Sequence, residues 1–100
     1  MIVVTGHIKI DPKQIERLRP AARAVLEATR AEDGCILYAY AEDVLEPGLI
    51  RIVERWRDWD SLTTHGAAPH LDVWRAALND AGGVLDREVT AHETGTERAL

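Results

Sequence analysis

The segment Leu49–Leu71, with the sequence LIRIVERWRDWDSLTTHGAAPHL, concentrates titratable and aromatic side chains more than any other part of the chain. Two of the three tryptophans and two of the four histidines lie within it. Up to Trp56 the residues alternate as in a strand, whereas those after Arg57-Asp58 are spaced as in a helix. We therefore expect a strand followed by a helix here, and we expect part of any functional site in the same segment.

A second strand, Cys35–Glu42, lies directly upstream and is predicted to pair with the strand Leu49–Trp56. The connection between them, Asp43–Gly48, contains a Pro-Gly pair typical of a turn. Alternation places three large side chains of the upstream strand on one face: Ile36, Tyr38 and Tyr40. The opposite face is apolar as well: Cys35, Leu37, Ala39 and Ala41. The sequence therefore predicts a hairpin whose first strand is covered on both faces, with Cys35 as a small buried residue.

The first part of the chain is predicted to form a strand and an amphipathic helix. Apolar and polar residues alternate along Ile2–Ile10, as in a strand covered mainly on one side. Asp11 precedes Pro12 and is an N-cap candidate, and apolar residues then recur at helical spacing to about Arg30. Pro20 lies inside this helix and cannot donate a backbone hydrogen bond, so we expect it to kink or split the helix.

After the hairpin, the spacing predicts two short helices and a last strand. The first helix is capped by Asp58 or Asp60 and runs to about His65. The second spans Ala68–Leu78, where apolar residues share one face. A Gly-Gly pair then breaks the chain, and the fourth strand is expected over Val84–His92.

The predicted order of strands and helices is βαββαβ, the split arrangement of ferredoxin-like α+β folds. It predicts one domain over residues 1–100, with a four-stranded antiparallel sheet, helices on one face and a frayed tail at 94–100. The other face of the sheet would still carry apolar side chains on at least two strands. Because a lone domain rarely exposes so much apolar surface, we expect a second copy to pack sheet against sheet in a homodimer.

Composition and charge exclude several classes of function. Hydrophobic residues make up 46% of the chain and the net charge is −5, so a globular domain is expected and nucleic-acid binding is not. No apolar run reaches membrane-spanning length, and the opening segment MIVVTGHIKI is too short and polar for a signal peptide. The single cysteine excludes an intrachain disulfide and a cysteine metal cluster, and it is consistent with a reducing cytoplasm. We therefore expect a cytoplasmic protein that binds neither nucleic acid nor membrane.

Four short stretches carry a resemblance to a known protein family. They are Gly34-Cys35-Ile36-x-Tyr38, Val53-Glu54-Arg55-Trp56-x-Asp58, Leu62-x-x-His65 and Pro69-His70. In this order, and with the predicted strand order around them, they resemble the antibiotic biosynthesis monooxygenase (ABM) domain family, to which quinol monooxygenases belong. The resemblance spans nearly the whole chain. It implies a dimeric α+β barrel in which each subunit encloses a pocket between sheet and helices.

The same resemblance implies an activity. Active members of the family oxidise electron-rich phenols or quinols with molecular oxygen and use no flavin, haem or metal. A deprotonated aromatic substrate is itself a reductant for oxygen, so the protein has to bind the anion, exclude water and confine the radical pair. The chain carries no GxGxxG, P-loop or HExxH motif, which fits the expectation of no cofactor.

His65 is the predicted catalytic residue. It matches the family's histidine at this helix, and a histidine there can take a phenolic proton and then hold the phenolate. The alternative is a capping or surface histidine beside Gly66. His70 is either a second contact with the substrate or a helix-terminal histidine that packs against the first turn. The two histidines are not spaced as ligands on one helix and no third ligand is evident, so we expect no metal site.

Four further side chains are candidates for substrate binding: Tyr38, Tyr40, Glu54 and Trp56. Glu54 stands on an apolar strand face, where the alternative is a structural ion pair with an arginine or with a group of the partner subunit. Trp56 forms either a pocket wall or part of the core, whereas Trp74 is assigned to the core. The two tyrosines orient a quinol oxygen if their face lines the pocket, and they are contact residues if it lines the dimer interface.

The sequence is consistent with two functions of different classes. The leading one is a cofactor-independent monooxygenase that acts on a small aromatic phenol or hydroquinone with molecular oxygen. The other is a non-catalytic dimeric binding module for small aromatic or hydrophobic ligands. Haem degradation, which relatives of this fold perform with a strand-one asparagine, is disfavoured because the only asparagine is Asn79, at the end of a helix.

Overall fold

The computed structural model describes residues 1–100 as a four-stranded antiparallel sheet with three α-helices. Along the chain the elements are β1 (Ile2–Lys9), α1 (Ile15–Arg30), β2 (Cys35–Glu42), β3 (Leu49–Trp56), α2 (Trp59–Gly66), α3 (Pro69–Asp80) and β4 (Asp86–Glu93). A 3₁₀ turn, Pro12–Gln14, precedes α1. The strand order in the sheet is β2-β3-β1-β4, so the predicted ferredoxin-like α+β fold is confirmed. None of the helices has the length and apolarity needed to cross a membrane.

The sheet is built around β1, which lies between β3 and β4. Ile2 stands opposite Trp56 on one side and Glu93 on the other. Alternate residues along β3 are buried, as a period of two predicts for a strand covered on one face. The buried side chains form two clusters: the larger packs under α1 and α3, and the smaller contains Trp56 with Ile2, Val4 and Tyr38.

The strand β2 departs from the predicted alternation, because a β-bulge interrupts its pairing with β3 between Cys35 and Leu37. Cys35 stands opposite Trp56 and packs on the smaller cluster, which includes Tyr38. The prediction that Cys35 shares a face with Leu37 is therefore wrong. The expected cover on both faces is incomplete in the single chain, since Ile36 is 57% exposed and Leu37 is 37% exposed.

The helix α1 runs through Pro20 without a break, so of the two expected effects, a kink or a split, the split does not occur. Pro20 lacks only the bond from its own nitrogen, which in an α-helix would go to the carbonyl of Glu16. Both residues are exposed, so water can satisfy that carbonyl. Asp11 caps the 3₁₀ turn rather than α1, by accepting a hydrogen bond from the backbone nitrogen of Lys13 at 2.9 Å.

The second half of the fold starts at the N-cap of α2. Oδ1 of Asp58 accepts a hydrogen bond from the backbone nitrogen of Ser61 at 2.8 Å, so Asp58 rather than Asp60 is the N-cap.

The strand β4 begins at Asp86 rather than at the predicted Val84, because β1 ends at Lys9 and Lys9 is the residue that pairs with Asp86. Beyond β4 the chain has no regular secondary structure.

The turn between α1 and β2 brings Gly34 against the first turn of α2. Gly34 has a φ of +84°, a conformation that residues with a Cβ rarely adopt. A Cβ at this position would overlap Oγ of Ser61, whose backbone nitrogen Asp58 caps. The backbone conformation and the close approach of α2 therefore both require glycine here.

We predict that Gly34→Ala lowers the free energy of unfolding by about 2–4 kcal/mol, which sums a left-handed backbone penalty and an overpacking penalty. Gly82→Ala is the matched control, because Gly82 has a φ of +97° but a Cβ there would meet no atom within 4 Å. Urea denaturation of both variants separates the two contributions. Equal losses in the two variants would show that the contact with Ser61 does not constrain this turn.

One carboxylate lies on the covered face of β3. Glu54 is 7% exposed, and its Oε1 accepts a hydrogen bond from Nε1 of Trp56 at 2.8 Å. Burial raises the pKa of the Glu54 carboxyl above its ordinary value of 4.5, and the hydrogen bond from Trp56 opposes this only in part. The structure thus pairs Glu54 with an indole rather than with the arginine considered from the sequence.

We predict that Glu54 makes the folded state less stable as the pH rises. Between the unfolded and the raised folded pKa, the folded carboxyl binds more protons than the unfolded one, so stability falls as the pH rises through 4.5. The Glu54→Gln variant lacks this titration. Urea denaturation at a series of pH values should show that the unfolding free energy of the wild type, minus that of the variant, decreases toward neutral pH. A constant or increasing difference would contradict the prediction.

Candidate active site

A cavity of about 500 Å³ lies between α1 and the sheet. Its walls are mostly apolar and come from α1, β2, β3 and α3. Tyr40 and Trp74 form an aromatic wall, with ring centroids 6.0 Å apart. Three arginines also line the cavity, and two of them are paired with acids of the same lining: Arg19 with Glu42 and Arg23 with Glu27, whereas Arg30 has no such pair. The cavity has the size and lining of a site for a small flat aromatic molecule with a polar edge.

Tyr38 lies next to Tyr40, and their hydroxyl oxygens are hydrogen-bonded at 2.7 Å. Burial raises the pKa of both phenols, so both hydroxyls stay protonated and are able to donate. Nε of Arg30 donates to the carbonyl oxygen of Tyr38 at 2.9 Å, which holds this arginine against β2. Tyr40 lines the cavity, whereas Tyr38 belongs to the smaller buried cluster behind it. The pair therefore connects the cavity to the interior.

His65 packs in that interior against Tyr38 and Trp56. The centroid of its ring is 5.2 Å from that of Tyr38 and 4.7 Å from that of Trp56, and the residue is only 5% exposed. It is therefore not the surface histidine considered as an alternative. It does not line the 500 Å³ cavity either, but it contacts the tyrosine that is hydrogen-bonded to the cavity wall.

The buried imidazole of His65 is held by a carboxylate that the sequence did not single out. Oε2 of Glu32 lies 2.6 Å from Nδ1 of His65 and 2.9 Å from Nε2 of His70. Glu32 follows α1, whereas the two histidines come from the end of α2 and the first turn of α3. No local pattern predicts such a contact. The signal that was present is that a buried histidine needs a hydrogen-bond partner, and Glu32 is one of the two adjacent acids, with Asp33, that precede the Gly34-Cys35 stretch.

The group Glu32, His65 and His70 has the composition of a metal site, with its ligand atoms within 4.8 Å of one another. Glu32 is thus the third potential ligand, which was not evident from the sequence. The separations of 2.6 and 2.9 Å are hydrogen-bond distances, however. Ligands about 2.0–2.1 Å from a tetrahedral zinc ion are roughly 3.3 Å apart. In this structure the three groups form a hydrogen-bonded network.

Of the other predicted binding residues, only one lines the cavity. Tyr40 lines the cavity, whereas Tyr38 and Glu54 lie behind it. Trp56 is 0% exposed, so it belongs to the core, and the prediction of a pocket wall fails because no face of its ring is free for a ligand. Trp74, assigned to the core from the sequence, does belong to the larger buried cluster and also lines the cavity. Its spacing from His70 on one face of α3 was the available signal.

Comparison with known proteins supports the family resemblance. The sequence model of the antibiotic biosynthesis monooxygenase family matches residues 1–77. The protein sll1783 of Synechocystis sp. is 35% identical over 70 residues, which are 70% of this chain and 48% of that protein, so the chain spans about half its length. YcnE of Bacillus subtilis, which carries a provisional monooxygenase name, is 30% identical over 71 residues, 71% of this chain and 75% of that protein.

Solved structures agree with these matches. A provisionally named antibiotic biosynthesis monooxygenase of Deinococcus radiodurans has a TM-score of 0.89 and 32% sequence identity. The match covers 100% of this chain and 98% of that chain. With the family match over residues 1–77, this shows that the chain belongs to the antibiotic biosynthesis monooxygenase family.

Proposed function

We propose that the protein is a cofactor-independent monooxygenase that oxidises a small aromatic phenol or hydroquinone with molecular oxygen. The observation that carries the proposal is the apolar cavity with Tyr40 and Trp74 on its wall, where the hydroxyl of Tyr40 is hydrogen-bonded to Tyr38 and the ring of Tyr38 packs against the buried imidazole of His65. Apolar walls bind an aromatic ring, and a few polar groups orient its hydroxyls. The provisional monooxygenase name of YcnE supports the reaction class.

The proposed reaction needs only the substrate and oxygen. A phenolate passes one electron to O₂, which gives a phenoxyl radical and superoxide. The two combine into a C–O bond at a ring carbon, and loss of water from the protonated peroxide leaves a carbonyl there. For a hydroquinone with a free ring position, one O₂ gives one hydroxyquinone and one water. The reaction requires that bulk water be kept from the radical pair, and the apolar part of the cavity wall contributes to this.

His65 is the proposed proton acceptor. The hydroxyl of Tyr40 is the proposed contact for the substrate hydroxyl. Tyr40 is hydrogen-bonded to Tyr38, whose ring packs against that of His65. The proton that His65 takes from the phenol returns to the peroxide before water leaves. Arg30, fixed beside the cavity by its bond to the Tyr38 carbonyl, stabilises the phenolate. His70 then acts from behind the site, through the carboxylate of Glu32.

The proposed active unit is a homodimer packed sheet against sheet. The single chain leaves Leu37 of β2 at 37% and Val53 of β3 at 36% exposure on the open face of the sheet. A second copy packed on this face would bury both side chains. The proposed location is the cytoplasm, which the lone cysteine favours.

A non-catalytic binding module for small aromatic molecules is the second candidate. One observation favours it: His65 does not line the cavity, so no histidine contacts a ligand bound there directly. Such a module would bind aromatic molecules saturably in the same cavity without consuming oxygen.

We predict that the chelator-treated protein takes up oxygen with a panel of hydroquinones above their autoxidation rate. His65→Gln should lower turnover about 10²–10⁴-fold, the range that a general base contributes, because an amide cannot take up the proton. Size-exclusion chromatography should show the same assembly for both proteins. Unchanged turnover in the variant would remove His65 from the mechanism, and saturable binding without oxygen uptake by the wild type would favour the binding module.

We predict that Trp74→Leu weakens hydroquinone binding about 2- to 10-fold, which corresponds to the roughly 0.5–1.5 kcal/mol of an aromatic pair. Trp59→Leu is the matched control, since Trp59 is 46% exposed at the start of α2 and does not line the cavity. Isothermal titration calorimetry of the two variants makes the comparison. Equal affinities in both variants would place the ligand outside this cavity.

A further inference from the structure

We propose that Glu32 is a positioning residue of this site: Oε2 of Glu32 accepts hydrogen bonds from His65 and His70, and this holds His65 in the tautomer whose Nε2 is free to accept a proton. The proposal rests on the proposed function for its effect on turnover. Its structural part is independent of that function, because the tautomer of His65 is measurable in the protein without any substrate.

The tautomer follows from the chemistry of the three groups. An ionised carboxylate only accepts hydrogen bonds, so a ring nitrogen at 2.6 or 2.9 Å from Oε2 of Glu32 has to carry a proton. A neutral imidazole carries a single ring proton. In His65 that proton is therefore on Nδ1, and the lone pair is on Nε2. In His70 the proton is on Nε2.

The position of Glu32 is itself fixed from several sides. Its backbone nitrogen donates to the carbonyl of Thr29 at 3.0 Å, and its own carbonyl accepts from the backbone nitrogen of Cys35 at 3.2 Å. The side chain is 15% exposed, and the second bond, from His70, prevents the carboxylate from turning away from His65. A carboxylate oxygen that is bonded to two imidazoles orients each of them more strictly than a carboxylate that is free to rotate.

The opposite side of the His65 ring is available for chemistry. Oγ1 of Thr29 is the one fully buried side-chain nitrogen or oxygen that lacks a hydrogen-bond partner. Nε2 of His65 also has no partner in the chain, but it is not one of these fully buried atoms. It therefore keeps some surface that water can reach. Tyr38 and Trp56 pack against the ring and hinder its rotation. Glu32 and these two rings together leave a single accepting nitrogen, which is the property a base requires.

The adjacent acid provides a matched control. Asp33 bears the same charge one residue away, but its carboxylate pairs with Arg57 at 3.2 and 3.3 Å and its side chain is 92% exposed. Asp33→Asn and Glu32→Gln therefore make the same change of charge in the same turn. Only Glu32→Gln changes the group that contacts His65.

The first test is the ring-nitrogen spectrum of the full-length protein without substrate, from long-range ¹H–¹⁵N correlation at a pH where the histidines are neutral. The signals that disappear in His65→Gln belong to His65. We expect a protonated Nδ1 and an unprotonated Nε2 for His65 in the wild type and in Asp33→Asn. In Glu32→Gln the amide nitrogen is able to donate to Nδ1, so the single tautomer should be lost.

A wild-type His65 protonated on Nε2 would overturn the proposal, and so would a Glu32→Gln variant with an unchanged tautomer. If Glu32→Gln does not fold, the spectrum of the wild type alone still decides which nitrogen carries the proton.

The second test is steady-state oxygen uptake with a hydroquinone. A positioning role predicts that Glu32→Gln lowers kcat about 100-fold and changes KM less than about twofold, because the wrong tautomer impairs proton transfer and not binding of the ring. Asp33→Asn should keep the wild-type kcat. A wild-type kcat in Glu32→Gln would show that Glu32 has a structural role only and does not position His65 for proton transfer. Absence of uptake by the wild type, with the expected tautomer present, would contradict the proposed function and leave the assignment of Glu32 standing.

Discussion

The carboxylate of Glu32 joins three parts of the chain that are far apart in sequence. It lies just after α1, and it contacts His65 and His70, which are 33 and 38 residues away, on α2 and α3. A hydrogen bond to a charged group is worth about 1.5–3 kcal/mol, and loss of the carboxylate would leave two imidazoles without this partner. One side chain therefore ties both short helices to the end of α1, in addition to the apolar packing between α1 and α3. The position of Trp74 in the cavity wall depends on the same contacts, because Trp74 is one turn beyond His70 on α3.

The fold follows from the sequence wherever a simple period governs burial. On β3 the alternation of Ile52, Glu54 and Trp56 with charged or exposed residues predicts the covered face correctly, including its one acid. The prediction fails for Cys35, because a bulge adds a residue to β2 and no periodic pattern records it. At Pro20 the sequence predicted a kink or a split, and the split does not occur because the single missing hydrogen bond lies on the solvent side and the helix continues.

The candidate site was predictable only in part, for a physical reason. His65, Tyr38 and Tyr40 are in or next to recognisable motifs, and the structure places them in one connected group. Glu32 does not belong to a recognisable motif, because its contacts with the histidines form only when α2 and α3 pack against the end of α1. Trp74 has an apolar environment both as a core residue and as a cavity wall, so its spacing on α3 does not distinguish the two roles.

The arrangement separates binding from proton transfer. The cavity provides apolar walls, an aromatic surface and both cationic and anionic side chains at its edge, whereas the imidazole lies behind two neutral phenols. The proposed reaction incorporates one atom of O₂ into the aromatic product and releases the other as water. The most direct test is to run the reaction under ¹⁸O₂ with a hydroquinone, reduce the product at once so that its carbonyl oxygens do not exchange, and measure its mass. We expect one ¹⁸O per product molecule. A product without label would contradict the monooxygenase assignment.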